Sequence, residues 1–180
     1  MSISKKVKVG ILGGSFDPPH MGHLKISKIS IKKIGLNKVY WEITKKNPFK
    51  NKSFYSIKER IAMSKKILKK NKNIKLLYLD EKINSSRTIH LINYFINKRK
   101  QKNIHFILGS DNLINFHKWT SWKKIVKIVK LIVFSRKGYD KVGNRSAVVK
   151  YLNKKNIIYI KNKFIRFSST SIKEKSSLRN

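Results

Sequence analysis

The chain predicts a doubly wound α/β domain: a mainly parallel sheet with helices on both faces. Two observations carry that expectation. Short apolar runs alternate with amphipathic segments along the whole length, the pattern of repeated βαβ units. The turns after the first and fourth runs, Gly13–His23 and Gly109–Trp119, hold most of the special residues, and ligands of such sheets bind beyond the C-terminal strand ends. Val7–Leu12 reads as a buried strand stopped by Gly13-Gly14. His20 to Ile34 reads as a helix, with Pro18-Pro19 before its first turn and Gly35 as its stop. Val39–Ile43 is the second strand, and Asn47-Pro48-Phe49 breaks the pattern after it. Ser56-x-x-Glu59 forms a capping box that starts a helix running to about Lys70. Ile74–Leu79 is the third strand and Thr88 to about Lys100 the next helix. Ile104–Leu108 is a fully apolar fourth strand ending at Gly109, followed by short helices around Asp111–His117 and Ser121–Val129. Leu131–Phe134, a helix over Arg145–Leu152, Ile157–Ile160 and a last helical turn over Thr170–Lys175 complete the series.

At 180 residues and 40% hydrophobic, the chain suits a single domain over residues 1–180 with a full core. No run approaches a membrane span, and Met1–Lys6 lacks the apolar stretch of a signal peptide. The absence of cysteine excludes disulfides and cysteine nucleophiles, and the expected compartment is the cytoplasm. The formal net charge is +36, with all but seven of the 44 basic residues lysine. Those lysines are spread along the chain instead of forming one stripe or tail, so a compositional origin is favoured and no dedicated nucleic-acid partner is expected. The positive field still assists capture of a polyphosphate.

A strand that ends in a glycine turn and opens a helix sets backbone N–H groups where an anion can sit. His20 and His23 then fall on one face of the first helical turn, at the same place. There is no G-x-x-x-x-G-K-[ST] loop, no G-x-G-x-x-G fingerprint, and no third metal ligand near the histidine pair. No nucleophile stands beside a base. A reaction in which one ionised phosphate attacks another needs neither. It needs alignment and charge stabilisation, which the Gly14–Phe16 amides, the helix start and protonatable His20 and His23 would supply.

The segment Gly13-Gly14-Ser15-Phe16-Asp17-Pro18-x-His20-x-Gly22-His23 resembles the signature of the H-x-G-H nucleotidyltransferase superfamily. Its Ser-Phe-Asp-Pro form looks most like the nicotinate-nucleotide adenylyltransferases, whereas phosphopantetheine adenylyltransferases usually carry Thr-Phe-Asp-Pro-x-Thr. The resemblance implies a Rossmann-like nucleotidyltransferase fold, ATP phosphates against His20 and His23, and nucleotide cradled by Gly13, Gly14, Ser15 and Phe16. Leu108-Gly109-Ser110-Asp111 through Phe116-x-Lys118-Trp119 is similar to the family's Gly-Ala-Asp-x-x-x-x-Phe-x-x-Trp block, implying that Trp119 stacks on the pyridine ring and Asp111 accepts from ribose hydroxyls. Phe167-Ser168-Ser169-Thr170-Ser171-Ile172-Lys173 resembles Ile-Ser-Ser-Thr-x-Ile-Arg, implying ATP contacts from Ser169, Thr170 and Lys173. Lys173 stands in place of an arginine and loses its bidentate fork. Softer matches assign Lys50, Thr88 and Arg136 to the mononucleotide, with Phe49 and Leu91 departing from the family pattern.

The implied reaction is transfer of AMP from ATP to nicotinate mononucleotide, giving deamido-NAD and pyrophosphate in NAD biosynthesis. Magnesium is carried in on the ATP, with no metal site on the protein. Two alternatives stand beside it: the same transfer to another phosphate acceptor such as phosphopantetheine, and a basic nucleic-acid-binding protein that has lost catalysis. The remaining histidines, His90, His105 and His117, are expected to be structural or exposed, and Trp41 to lie in the core.

Overall fold

The structure is a computed structural model that describes residues 7–45 and 53–161. Six strands form one sheet in the order β3-β2-β1-β4-β5-β6, and every neighbouring pair is parallel. The strands are β1 (Val9–Gly14), β2 (Lys38–Ile43), β3 (Ile74–Leu77), β4 (Ile104–Gly109), β5 (Lys130–Phe134) and β6 (Ile157–Ile160). The connecting helices are α1 (Met21–Ile34), α2 (Ile57–Leu68), α3 (Thr88–Asn97), α4 (Ser110–Asn115), α5 (Trp122–Ile128), α6 (Asp140–Asn144) and α7 (Ala147–Leu152), with a 3-10 turn at Phe116–Lys118. The expected sheet is thus wholly parallel. Each helical crossover returns the chain to the same end before the next strand begins.

Strand side chains alternate between two cores, as the two-residue period requires. Ile11, Tyr40, Phe106, Leu108 and Leu131 face one side, with Ile92 and Phe95 of α3 and Val148 of α7. Leu12, Trp41, Ile43, Ile107 and Ile132 face the other, with Leu24 of α1 and Leu68 of α2. Both faces of the sheet are therefore covered, which explains why the strands read as near-continuous apolar runs. Most elements fall within a few residues of their expected bounds. The helix expected from His20 begins instead at Met21, because His20 is its cap, with an extended backbone and a side chain turned onto the first turn. Gly35 ends that helix in the left-handed region, at φ 68°. The short α6 was not foreseen, since five residues around Gly143 carry too little periodicity to show.

The order of the strands places the switch point between β1 and β4. The two turns rich in special residues leave these adjacent strands at the same end. Sequence-distant motifs thereby become neighbours.

Candidate active site

The loop after β1 is held from below. The Gly14 carbonyl accepts from the Thr44 N–H at 2.9 Å. The Ser15 carbonyl accepts from Arg60 Nη1 at 2.7 Å, and the same nitrogen reaches the Thr44 carbonyl at 2.9 Å. In a trans peptide the N–H points opposite its carbonyl, so the Ser15 and Phe16 amides are turned away from Thr44 and Arg60. Phe16 has φ 47°, a left-handed conformation that a bulky residue holds only when its surroundings fix it. Its buried ring stacks on Trp41 at 5.0 Å and lies 4.7 Å from the His23 ring. Only the Phe16 backbone is therefore placed to cradle a nucleotide; its side chain is part of the core. A cis peptide bond joins Asp17 to Pro18. The buried Asp17 carboxylate accepts from the Phe54 and Tyr55 N–H groups, both at 2.9 Å, and ties the loop to the entry of α2.

His20 and His23 cap the helix for each other. The Gly22 N–H donates to His20 Nδ1 at 3.1 Å, and the His20 N–H donates to His23 Nδ1 at 3.2 Å. An Nδ1 that accepts carries no proton, so each neutral ring has its proton on Nε2. The ring centroids are 3.8 Å apart. Burial first, and then the charge of Arg136, lowers His20 to about 4. Burial, His20 and Arg136 hold His23 well below the usual imidazole range, against a backbone hydrogen bond at His20 that acts upward. The two protonatable rings are thus held in the neutral form, each turning an Nε2–H outward as a donor. Below them, Trp41 Nε1 donates to Ser27 Oγ at 2.8 Å and Ser27 Oγ donates to the His23 carbonyl at 2.8 Å, which fastens this turn to the sheet.

The fixed positive charge is Arg136, which follows β5. Its guanidinium pairs with Asp111 in α4 and lies close enough to act electrostatically on both imidazoles. Its N–H is held by Ser110 Oγ and Asp140 Oδ1, both at 3.0 Å. A Cβ at Gly109 would stand 2.3 Å from Asp111 Oδ1, so glycine is what lets that carboxylate fold back over the end of β4. Trp119 is half-buried, stacked on Phe116 at 4.6 Å and edge-on to Phe106 at 5.8 Å. A Cβ at Gly13 would press on that same Phe106 ring at 3.2 Å. Thr88 is the first residue of α3, on the sheet face that also carries Trp119.

The structure thus gathers Gly13, Gly14, Ser15, Phe16, His20, His23, Asp111, Trp119 and Arg136 around the switch point, with Thr88 at the rim. Lys50, Ser169, Thr170 and Lys173 lie outside the described residues, as does the expected helical turn at Thr170–Lys175. Arg60, Asp80, Ser27 and Glu42 escaped the sequence reading. Asp80 Oδ2 accepts from Thr44 Oγ1 at 3.0 Å, Lys45 N–H at 2.7 Å and Ser86 Oγ at 2.6 Å, joining the end of β2 to the loop before α3. One signal was available for Arg60. It is the single arginine in a helix whose other cations are lysines, and a planar fork suits two carbonyl acceptors as a lysine does not.

Comparison with known proteins bears directly on this arrangement. The pattern of the cytidylyltransferase-like family matches residues 11–175. A protein of Pelagibacter ubique named "Probable nicotinate-nucleotide adenylyltransferase" is 48% identical over 170 residues, 94% of each chain. The chain belongs to the nicotinate-nucleotide adenylyltransferase family. A Rhizobium meliloti relative of the same name is 35% identical over 131 residues, 72% of this chain and 69% of the relative. Among solved structures, the Plasmodium falciparum nicotinic acid mononucleotide adenylyltransferase complexed with NaAD superposes with a TM-score of 0.73. It covers 93% of this chain and 83% of its own at 17% identity, a match of fold. Membership makes the chain a nucleotidyltransferase of NAD biosynthesis with the Rossmann-like fold expected of one. Among the described residues no helix is long and apolar enough to cross a membrane.

Proposed function

We propose that this chain transfers AMP from ATP to nicotinate mononucleotide, releasing pyrophosphate and forming deamido-NAD. The observation that carries the reading is the reciprocal capping of His20 and His23 beside Arg136. It yields two neutral N–H donors and one fixed cation at the end of β1, with Trp119 and Asp111 on the adjoining strand end. The names of the close relatives support the acceptor.

In this reading the polyphosphate lies on the Ser15 and Phe16 amides and the α1 N-terminus, where dipole and donors favour an anion. The mononucleotide's phosphate oxygen attacks the α-phosphorus in line, and the bond to the bridging oxygen of pyrophosphate breaks. No protein nucleophile is required. His20 and His23 donate from Nε2 to oxygens that gain charge in the transition state, without the cost of keeping two cations side by side. The indole of Trp119 offers its free face to the pyridine. Arg136 exchanges its contact with Asp111 for a phosphate, which frees the carboxylate to accept from ribose hydroxyls. In this reading Mg2+ enters as part of the substrate MgATP. Ser169, Thr170, Lys173 and Lys50 are assigned to ATP and mononucleotide on the resemblance alone. The reaction belongs in the cytoplasm, where ATP is drawn.

Initial rates of pyrophosphate release with nicotinate mononucleotide, nicotinamide mononucleotide and phosphopantetheine, each with MgATP, test the assignment. The first is expected to lead. Preference for phosphopantetheine, or no release with any acceptor, overturns it.

A further inference from the structure

Two loops assigned to different substrates leave strands that are not neighbours. The loop after β1 offers the Ser15 and Phe16 amides, while residues 78–87 lead from β3 into the first turn of α3, where Thr88 stands. Strand β2 lies between them. On the β1 side the ladder runs to Gly14 opposite Ile43, and the Thr44 N–H adds a bond to the Gly14 carbonyl. On the β3 side it stops at Glu42 opposite Leu77. Beyond that point two carboxylates take over. Glu42 accepts from the Leu79 N–H, and Asp80 reaches back to the end of β2.

The contacts of Asp80 and Arg60 form a continuous bridge between the loops. The Thr44–Lys45 peptide gives its carbonyl to Arg60 Nη1 at 2.9 Å and its N–H to Asp80 Oδ2 at 2.7 Å. Thr44 Oγ1 donates to that same oxygen at 3.0 Å. The Arg60 nitrogen also takes the Ser15 carbonyl, and the other side of that peptide is the Phe16 N–H. The order is therefore Asp80, the Thr44–Lys45 peptide, Arg60, the Ser15–Phe16 peptide, and the anion that the Phe16 N–H receives. With a cation in the middle and a negative group at each end, both peptide dipoles point favourably. Arg60 is buried, which strengthens such contacts.

On its other side Asp80 organises the loop that carries it. Oδ2 also accepts from Ser86 Oγ, and the Asp80 carbonyl accepts from the Ser85 N–H at 2.9 Å. Ser85 Oγ in turn accepts from the Arg87 N–H at 3.1 Å and lies 2.8 Å from His90 Nδ1, in the first turn of α3. Ile83 of this loop packs against the same core as Trp119. The position of Asp80 is thereby passed to the helix start on the mononucleotide side.

Resting on the adenylyl-transfer reading above, we propose that Asp80 and Thr44 are positioning residues that couple the two substrates. A polyphosphate on the Phe16 amide fixes Arg60 and, through the bridge, the loop beside the mononucleotide, so each ligand tightens the binding of the other. The first ligand completes part of the ordering that the second would otherwise impose, and linkage makes the effect reciprocal. A merely structural tie would support both loops without making one depend on the ligand of the other.

Calorimetry of the full-length chain measures the coupling factor. This is the Kd of nicotinate mononucleotide alone divided by its Kd with saturating Mg2+ and α,β-methylene-ATP, which cannot release pyrophosphate. Asp80→Ala should lower the factor at least about fivefold, while the Kd of the ATP analogue alone stays within about twofold of the parent's. Thr44→Val, which keeps the backbone bonds, should lower it at least about twofold, the effect of losing one hydrogen bond. Thr44→Ser keeps the hydroxyl and should match the parent. Direct contact between the two ligands is common to every variant, so a change in the factor belongs to the bridge. Should the parent bind no nicotinate mononucleotide, the acceptor assignment falls and this inference with it. Binding with a smaller drop in Asp80→Ala overturns this inference alone. If Asp80→Ala does not fold, a smaller drop than expected in Thr44→Val overturns it in the same way.

Discussion

Glu42→Gln isolates a buried acid whose cost can be worked from its surroundings. Glu42 is 2% exposed, Oε1 accepts from the Leu79 N–H at 2.7 Å, and Oε2 has no hydrogen-bond partner. Burial, aided by the charge of Asp80, pushes its carboxyl up from 4.5 to about 8, against the Leu79 hydrogen bond and Arg99, which act downward. Between those values the folded chain keeps a proton that the unfolded chain has lost. The stability this protonation confers is whole below pH 4.5 and falls as pH rises toward 8, by about 1.4 kcal/mol per unit. From pH 5.5 to 7.5 the parent should lose about 3 kcal/mol on this account. His20 and His23 act in the opposite sense below pH 6.5, because their lowered values make protonation of the folded chain unfavourable. Glutamine keeps the acceptor for Leu79 and cannot ionise, so subtracting its stability cancels the histidines. Urea denaturation at both pH values should show the parent-minus-variant difference shifting by about 3 kcal/mol against the parent. A difference constant to within about 0.5 kcal/mol would mean that Glu42 is already ionised in the fold, and would refute the argument.

Other consequences follow from the site. His20→Ala removes one of two Nε2–H donors and should cut kcat by about 10²- to 10³-fold, the usual loss for one donor to a developing charge, while mononucleotide binding measured by calorimetry stays near the parent's. Ring 15N shifts should place the proton of both imidazoles on Nε2 and titrate His20 near 4; a midpoint near 6.5 would contradict the reciprocal cap. Arg60→Met leaves the Ser15 and Thr44 carbonyls without their donor, and a loss of about 3 kcal/mol in urea denaturation is expected, with KM for ATP rising as the loop loosens. Trp119→Ala should raise KM for the mononucleotide at least tenfold, leave KM for ATP nearly unchanged, and so separate the two halves of the site.

Local signals served the sequence reading well wherever one turn of chain holds the whole reason. Gly35, the Ser56–Glu59 box and the two glycine turns mark their elements because cap and turn chemistry is decided within a few residues. Arg60 and Asp80 could not be read that way. Their acceptors and donors lie 36 to 45 residues distant along the chain in Ser15, for Arg60, and Thr44, for Asp80, and only the stacking of β1, β2 and β3 brings them within reach. The charge state of the histidines was not legible for a related reason. A motif shows two imidazoles, but burial and the approach of Arg136 from the end of β5 keep them neutral.

By itself the sequence determined the parallel α/β plan, the pairing of the first and fourth turns as the centre of chemistry, and the family. Residue order sets hydrophobic period, caps and motif spacing, and these are local quantities. The tertiary structure decided what requires distant groups to meet: neutral donors at the H-x-G-H turn, the Asp111–Arg136 pair, and the ties from Arg60 and Asp80 to the ends of β1 and β2. These meetings come from the sheet being wholly parallel, because every crossover returns the chain so that the turns after β1, β2, β4 and β5 leave at one end.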